Sequence, residues 1–100
     1  MDDPSVNAHL DAVRQAHGIE VRAFVAAAPA RPLRWRLETV SRSSGGTSNV
    51  SQSGSTQGSA GPPVSVTVVS PESRGRVTLF VYDGGAEVAR SEVDLTDVER

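Results

Sequence analysis

The sequence predicts an all-β chain: an immunoglobulin-like β-sandwich of about seven antiparallel strands. Three observations lead there. Apolar and polar residues alternate at period two through most of the chain after Gly18. Turn-forming residues interrupt that alternation every 8–12 residues or so, about the spacing of sandwich strands. Valine is the commonest large apolar residue, and β-branched side chains suit a pleated surface. With 100 residues the chain makes one domain, and a domain of this size buries roughly 60–65% of the surface its unfolded chain exposes. Aromatics are few, Phe24, Trp35, Phe80 and Tyr82, so the core must rest on aliphatic side chains.

Residues 1–17 differ from the rest. Val6, Leu10 and Val13 fall at i, i+4, i+7, with Ala12 and Ala16 nearby and Asp3 or Ser5 as a cap. That spacing predicts a short amphipathic helix, which is too short to be stable alone, or else a disordered tail. The sandwich itself is expected over 18–96, with a C-terminal tail over 97–100.

Ile19, Val21, Ala23 and Val25 alternate with Glu20, Arg22 and Phe24, which reads as a strand. Ala28-Pro29-Ala30-Arg31-Pro32 ends it. Leu33, Trp35 and Leu37 alternate with Arg34, Arg36 and Glu38 in the clearest half-buried strand of the chain. The segment from Ser41 to Gly61 is polar and would read as a linker. About 20 structureless residues inside so small a domain would be unusual, however, and a sandwich needs strands to complete its sheets. Thr47, Asn49 and Ser51 alternate with Ser48, Val50 and Gln52, so weak polar strands are expected there. Val64, Val66 and Val68 alternate with Ser65 and Thr67; Val77, Leu79 and Val81 alternate with Arg76, Thr78 and Phe80. Asp83-Gly84-Gly85 signals a tight hairpin turn into a last strand from Glu87 to about Leu95.

Nothing in the chain composes a catalytic centre. There is no cysteine, which removes disulfides, thiolate metal sites and thiol chemistry. His9 and His17 are the only histidines, and on a helix they would stand about 12 Å apart along the axis, too far to share a metal. Both are expected to be exposed. Gly54-Ser55-Thr56-Gln57-Gly58 lacks the strand–turn–helix context of a nucleophile elbow. Asn49-Val50-Ser51 matches a glycosylation sequon, a short pattern that arises easily by chance. Asp94, Asp97 and Glu99 read as solvated acids at the chain end. No cofactor and no metal is expected.

The formal net charge of -2 is too small to argue for nucleic acid or an anionic membrane as partner, and neither nucleic acid binding nor membrane insertion is expected. No apolar run approaches the roughly 20 residues that span a bilayer. Met1-Asp2-Asp3-Pro4 has neither a basic start nor an apolar stretch after it, so the chain reads as cytoplasmic or as a mature exported form with an added methionine. What remains is surface. All ten basic residues are arginine, which makes planar, bidentate contacts with carboxylates. Arg22, Arg34 and Arg36 alternate with apolar residues and should face outward, as should Arg76 and Arg90. Arg34 and Arg36 would lie on one face about 6.5–7 Å apart. Such charges also keep sheets from pairing edge to edge, and both roles can hold together.

Two stretches resemble a known family. Leu33-Arg34-Trp35-Arg36-Leu37 running through Ser43-Ser44-Gly45-Gly46-Thr47-Ser48-Asn49-Val50-Ser51-Gln52 is similar to curli accessory proteins of the CsgC and CsgH type. So is Arg76-Val77-Thr78-Leu79-Phe80-Val81-Tyr82-Asp83-Gly84-Gly85, a charged residue, an alternating strand and an Asp-Gly turn. The resemblance covers roughly residues 18–95 and is closer to the CsgH branch, since the chain lacks cysteine and has an extra N-terminal segment. It implies a seven-stranded sandwich in the bacterial periplasm that keeps the curli major subunit from polymerising into amyloid. Some CsgC-type proteins carry a Cys-x-Cys pair; an activity shared by this chain cannot depend on it. The expectation is a monomer that acts substoichiometrically through brief electrostatic contacts, with Arg34 and Arg36 first, then Arg22, Arg76 and Arg90. The polar 43–60 segment reads either as a loop or as a strand that caps growing fibre ends. The alternative from another class is a structural or adhesin-like module of a surface assembly.

Overall fold

A computed structural model describes residues 3–59 and 61–98. Seven antiparallel strands run β1 (Val6–Gln15), β2 (Gly18–Ala27), β3 (Leu33–Ser43), β4 (Gly46–Thr56), β5 (Ser65–Val69), β6 (Arg74–Asp83) and β7 (Ala86–Asp94), followed by a 3-10 turn over Leu95–Asp97. They form two sheets, one ordered β1-β2-β5 and the other β4-β3-β6-β7. This is the immunoglobulin-like sandwich that the alternation predicts.

The core lies between the inner faces. Ile19, Val21, Ala23 and Val25 of β2 meet Leu33, Trp35 and Leu37 of β3 and Val77, Leu79 and Val81 of β6, all buried, with Leu95 closing one end. Fully burying an aliphatic side chain of this size stabilises the fold by about 1.5–3 kcal/mol, which is how a chain poor in aromatics holds together. Between β6 and β7, Gly84 and Gly85 both take positive φ, 60° and 88°. That is the backbone a two-residue primed hairpin turn demands, and glycine adopts it without a Cβ clash.

Val6–Gln15 is neither helix nor tail but a strand, paired residue for residue with β2 from Val6↔Ala27 to Gln15↔Gly18. Val6 and Leu10 are buried and Ala8 and Ala12 half-buried, while Val13 is 45% exposed. The alternation Val6, Ala8, Leu10, Ala12 is therefore the pattern that counts. A helix would have gained only local hydrogen bonds, whereas the strand completes a sheet and covers the core. The sandwich thus begins before residue 18. His9 and His17 are both exposed, His9 beside the Phe24 ring. At the other end Asp97 falls within the 3-10 turn; Glu99 and Arg100 lie outside the described residues, as do Met1, Asp2 and Ala60.

In β5 the alternation holds, and it is the polar residues that face the other sheet. Val66 and Val68 are 51% and 54% exposed. Ser65 and Thr67 point instead toward Gln52 of β4: Ser65 Oγ donates to Gln52 Oε1 at 2.9 Å, and Gln52 Nε2 donates to Thr67 Oγ1 at 3.2 Å. A polar bridge closes this flank of the sandwich where the core has run out of aliphatic side chains.

The polar 41–61 stretch holds one long strand, β4, as the weak alternation suggested. Its pairing with β3 continues from Leu33↔Thr56 to Ser43↔Gly46. Residues Arg42 to Ser51 are all exposed, so the β3–β4 hairpin projects beyond the core and contributes to a longest dimension of 42 Å. Elsewhere Arg31 clamps three segments. It donates to Asp83 from Nε and to Asp3 from Nη2, each at 2.9 Å, and to Ser5 Oγ at 3.2 Å. Arg14 donates to the carbonyls of Pro71, Leu95 and Val98, tying β1 to the C-terminal turn.

Candidate binding face

The outward residues of β3 and β6 share one face of the four-stranded sheet, and the register places them in rows. Ser53 of β4, Arg36 of β3, Phe80 of β6 and Arg90 of β7 lie side by side. The next row holds Ser55, Arg34, Tyr82 and Glu87. Neighbouring strands stand about 4.8 Å apart, so each row is a line of touching side chains.

Phe80 sits at the centre. The Arg36 guanidinium lies 5.1 Å from its ring centroid and that of Arg90 5.0 Å, one on either side. Tyr82 stacks beside it with ring centroids 6.4 Å apart at 18°. Two cations over one ring are held by its quadrupole and by carboxylates, which keep their charges in place. Arg36 pairs with Glu38 at 2.6 Å and Arg90 with Glu87 at 3.0 Å. The hydrogen bond to Glu87, then its charge, raises the Arg90 pKa further above its ordinary value. Arg34 makes no ion pair among the described residues.

Toward the projecting end the face changes. Glu38, Thr78 and Glu92 form an acidic row, then Val40 lies beside Arg76, and Arg42 stands directly opposite Arg74. Arg76 reaches Glu92 at 3.6 Å. The result is two arginine groups, Arg34–Arg36–Arg90 and Arg42–Arg74–Arg76, separated by glutamates. It is not an unbroken basic stripe.

Of the arginines singled out from sequence, Arg34, Arg36, Arg76 and Arg90 come together on this face. Arg22 does not. It lies on the outer face of the three-stranded sheet, opposite Asp11 and Val66 and paired with Glu20 at 2.8 Å. Alternation shows that a side chain points outward but not from which sheet. Sequence reasoning also passed over Phe80 and Tyr82 as site residues. Their signal was present, since Phe80 falls on the polar phase of β6, where a large ring has no core to fill. Arg42 and Arg74 were missed because only the β3–β6 register brings them level.

The fold resembles that of CsgH. Over 94% of this chain and 96% of the other, the solution structure of R. palustris CsgH superposes with a TM-score of 0.71 at 19% sequence identity. No family model matches the sequence, and no curated protein does. The likeness to CsgH is therefore one of fold, and it spans both sheets, β1 included.

Proposed function

We propose that this protein is a periplasmic, chaperone-like inhibitor of curli subunit amyloid formation. The observation that carries the reading is the CsgH-like fold over nearly the whole chain, joined to the sequence resemblance in β3–β4 and β6. The arginine–aromatic face supplies a means. A partner that is still extended or unfolded offers carboxylates and side chains with π-faces or amides. Arg34, Arg36 and Arg90 can meet the first, and Phe80 and Tyr82 the second. The arginine contacts are exposed and salt-screened, so binding is fast and brief. Brief contacts suffice because nuclei and growing ends are few compared with subunits, which allows inhibition far below equimolar.

The test is amyloid growth of a purified curli subunit followed by dye fluorescence, with this protein added substoichiometrically. A long delay is expected, shortened by added salt and by the triple change Arg34→Gln, Arg36→Gln and Arg90→Gln, while Arg22→Gln on the opposite sheet leaves it intact. Growth at the uninhibited rate sinks the reading. Recovery of the protein inside the fibres would favour a structural module of the assembly instead.

A further inference from the structure

Four strands lie at sheet edges, and three of them are protected. β5 is 5 residues long and sits between Pro62-Pro63 and Pro71. β7 carries Glu87, Arg90, Glu92 and Asp94 and shifts register opposite Val81 and Tyr82. β1 carries Asp11 and Arg14, and the segment leading into it is tied to β7 through the Asp3 N–H to Val88 carbonyl bond of 2.8 Å. Each device stops another chain from pairing there.

β4 has none of them. Its 11 residues, Gly-Thr-Ser-Asn-Val-Ser-Gln-Ser-Gly-Ser-Thr, include no charge and no proline. The ladder to β3 runs its whole length without a shift. In an antiparallel pair alternate residues direct their N–H and C=O away from the partner strand, so β4 presents a straight row of open donors and acceptors. Its first half, Gly46 to Ser51, is exposed on both faces.

We propose that the free edge of β4 is a strand-addition site for an extended, polar segment of a partner chain that is uncharged apart from an Asp or Glu level with Arg34 or Arg42. The backbone row supplies the binding, and side-chain chemistry selects the occupant. Ser, Thr, Asn and Gln on β4 pair with the same residue types and leave a facing charge without a partner. The exceptions are the rows of Arg34 and Arg42. Neither guanidinium has an ion pair among the described residues, and their neighbours on β4, Ser55 and Thr47, are too small to block the way outward. An added strand would lie about 9–10 Å from β3, a gap that an extended arginine and a carboxylate side chain close between them. A second copy of this chain fits worse, because pairing β4 with β4 would bring two arginine-bearing β3 strands toward each other.

The inference rests on the chaperone reading only for the partner's nature, and the experiment separates the two. The probe is a synthetic peptide of roughly 11 residues, matched to strand length, made of Ser, Gln, Asn and Gly with one Asp as its second residue, which antiparallel pairing sets level with Ser55 and Arg34. A counterpart carries Lys in its place. The readouts are fluorescence anisotropy and amide hydrogen exchange by NMR. We expect the Asp peptide to slow exchange of the outward amides of β4 and to bind about tenfold more tightly than the Lys peptide. Ser55→Glu pairs with Arg34 inside the chain and repels the peptide carboxylate, so it lowers that affinity about tenfold while the melting curve stays in place. Val50→Pro and Ser51→Pro occupy adjacent positions, so one of the two removes an outward N–H. That variant melts as the parent does and loses the protection. Unchanged β4 exchange, equal binding of both peptides, or exchange that slows with this protein's own concentration and no peptide would each overturn the proposal. If the protein delays curli growth while neither peptide touches β4, strand addition fails and the chaperone reading stands; the reverse result leaves only strand addition.

Discussion

Gly54 of β4 sits against the indole of Trp35, and the contact determines what can replace it. A Cβ at residue 54 would stand 2.9 Å from Trp35 Cζ2, 3.0 Å from Cε2 and 3.1 Å from Nε1. Carbon atoms pack at about 3.5–4.0 Å, so Gly54→Ala forces the indole to move. Trp35 is only 9% exposed, and its ring is hemmed in by the core. Overpacking of this kind costs about 1–3 kcal/mol. Replacing a strand glycine by alanine returns about 0.5–1 kcal/mol of conformational entropy. The net is a loss of about 1 kcal/mol, which lowers Tm by about 4–8 °C in a domain of this size. Trp35 is the one tryptophan, so its fluorescence reports the displacement and the unfolding together. The cycle with Trp35→Leu completes the measurement: once the indole is gone, Gly54→Ala should no longer destabilise, a coupling of about 0.5 kcal/mol or more. A Gly54→Ala protein as stable as its parent, or the same loss in both backgrounds, would refute the packing argument.

Three other outcomes follow from the same structure. Leu79 is fully buried between the sheets, and Leu79→Ala should cost about 2–5 kcal/mol in urea unfolding, against no more than about 0.5 kcal/mol for Arg36→Gln on the surface. Gly75 has φ +132°, and a Cβ there would fall 1.9 Å from the Val40 carbonyl oxygen. Gly75→Ala should therefore destabilise by about 2 kcal/mol or more and disturb the β3–β6 ladder, seen as faster amide exchange on Val40. The Asp3 carboxylate is held below its usual pKa, first by the hydroxyl and backbone N–H of Ser5, then by Arg31. Its contribution is present above the unfolded-state pKa and is lost as pH falls through the lower folded value. Asp3→Asn should thus lower Tm near neutral pH and converge with the parent as acid protonates the carboxylate; a difference that stays constant from neutral pH into acid would count against the Ser5–Arg31 clamp.

Much of the site was legible as phase and little of it as position. Alternation put Arg34, Arg36, Arg76 and Arg90 outward because every second residue of β3, β6 and β7 had to fill the core. It placed Arg22 outward on the same ground, though on the opposite sheet. The grouping of Arg36, Phe80 and Arg90 required the register, since a strand's neighbours lie outside its own sequence. The polar strand β4 was visible only in outline, and that it forms an edge was not visible at all.

By itself the sequence determined the class of the fold. Leu33-Trp35-Leu37 and Val77-Leu79-Val81 admit one periodicity, and Asp83-Gly84-Gly85 admits few turns besides a hairpin. Only the tertiary structure decided Val6–Gln15 and Ser65–Val69. In the first, Val6 and Leu10 satisfy the helical and the extended period alike, and the open edge of β2 settled the matter with its hydrogen bonds. In the second, alternation alone left open which phase faces inward, and Gln52 across the flank supplied partners for hydroxyls, so Ser65 and Thr67 turned inward and the valines went to solvent. Local pattern decides where a strand's own residues satisfy one period. Where two periods fit, or where the inner face is polar, the neighbouring strand supplies the missing energy and chooses.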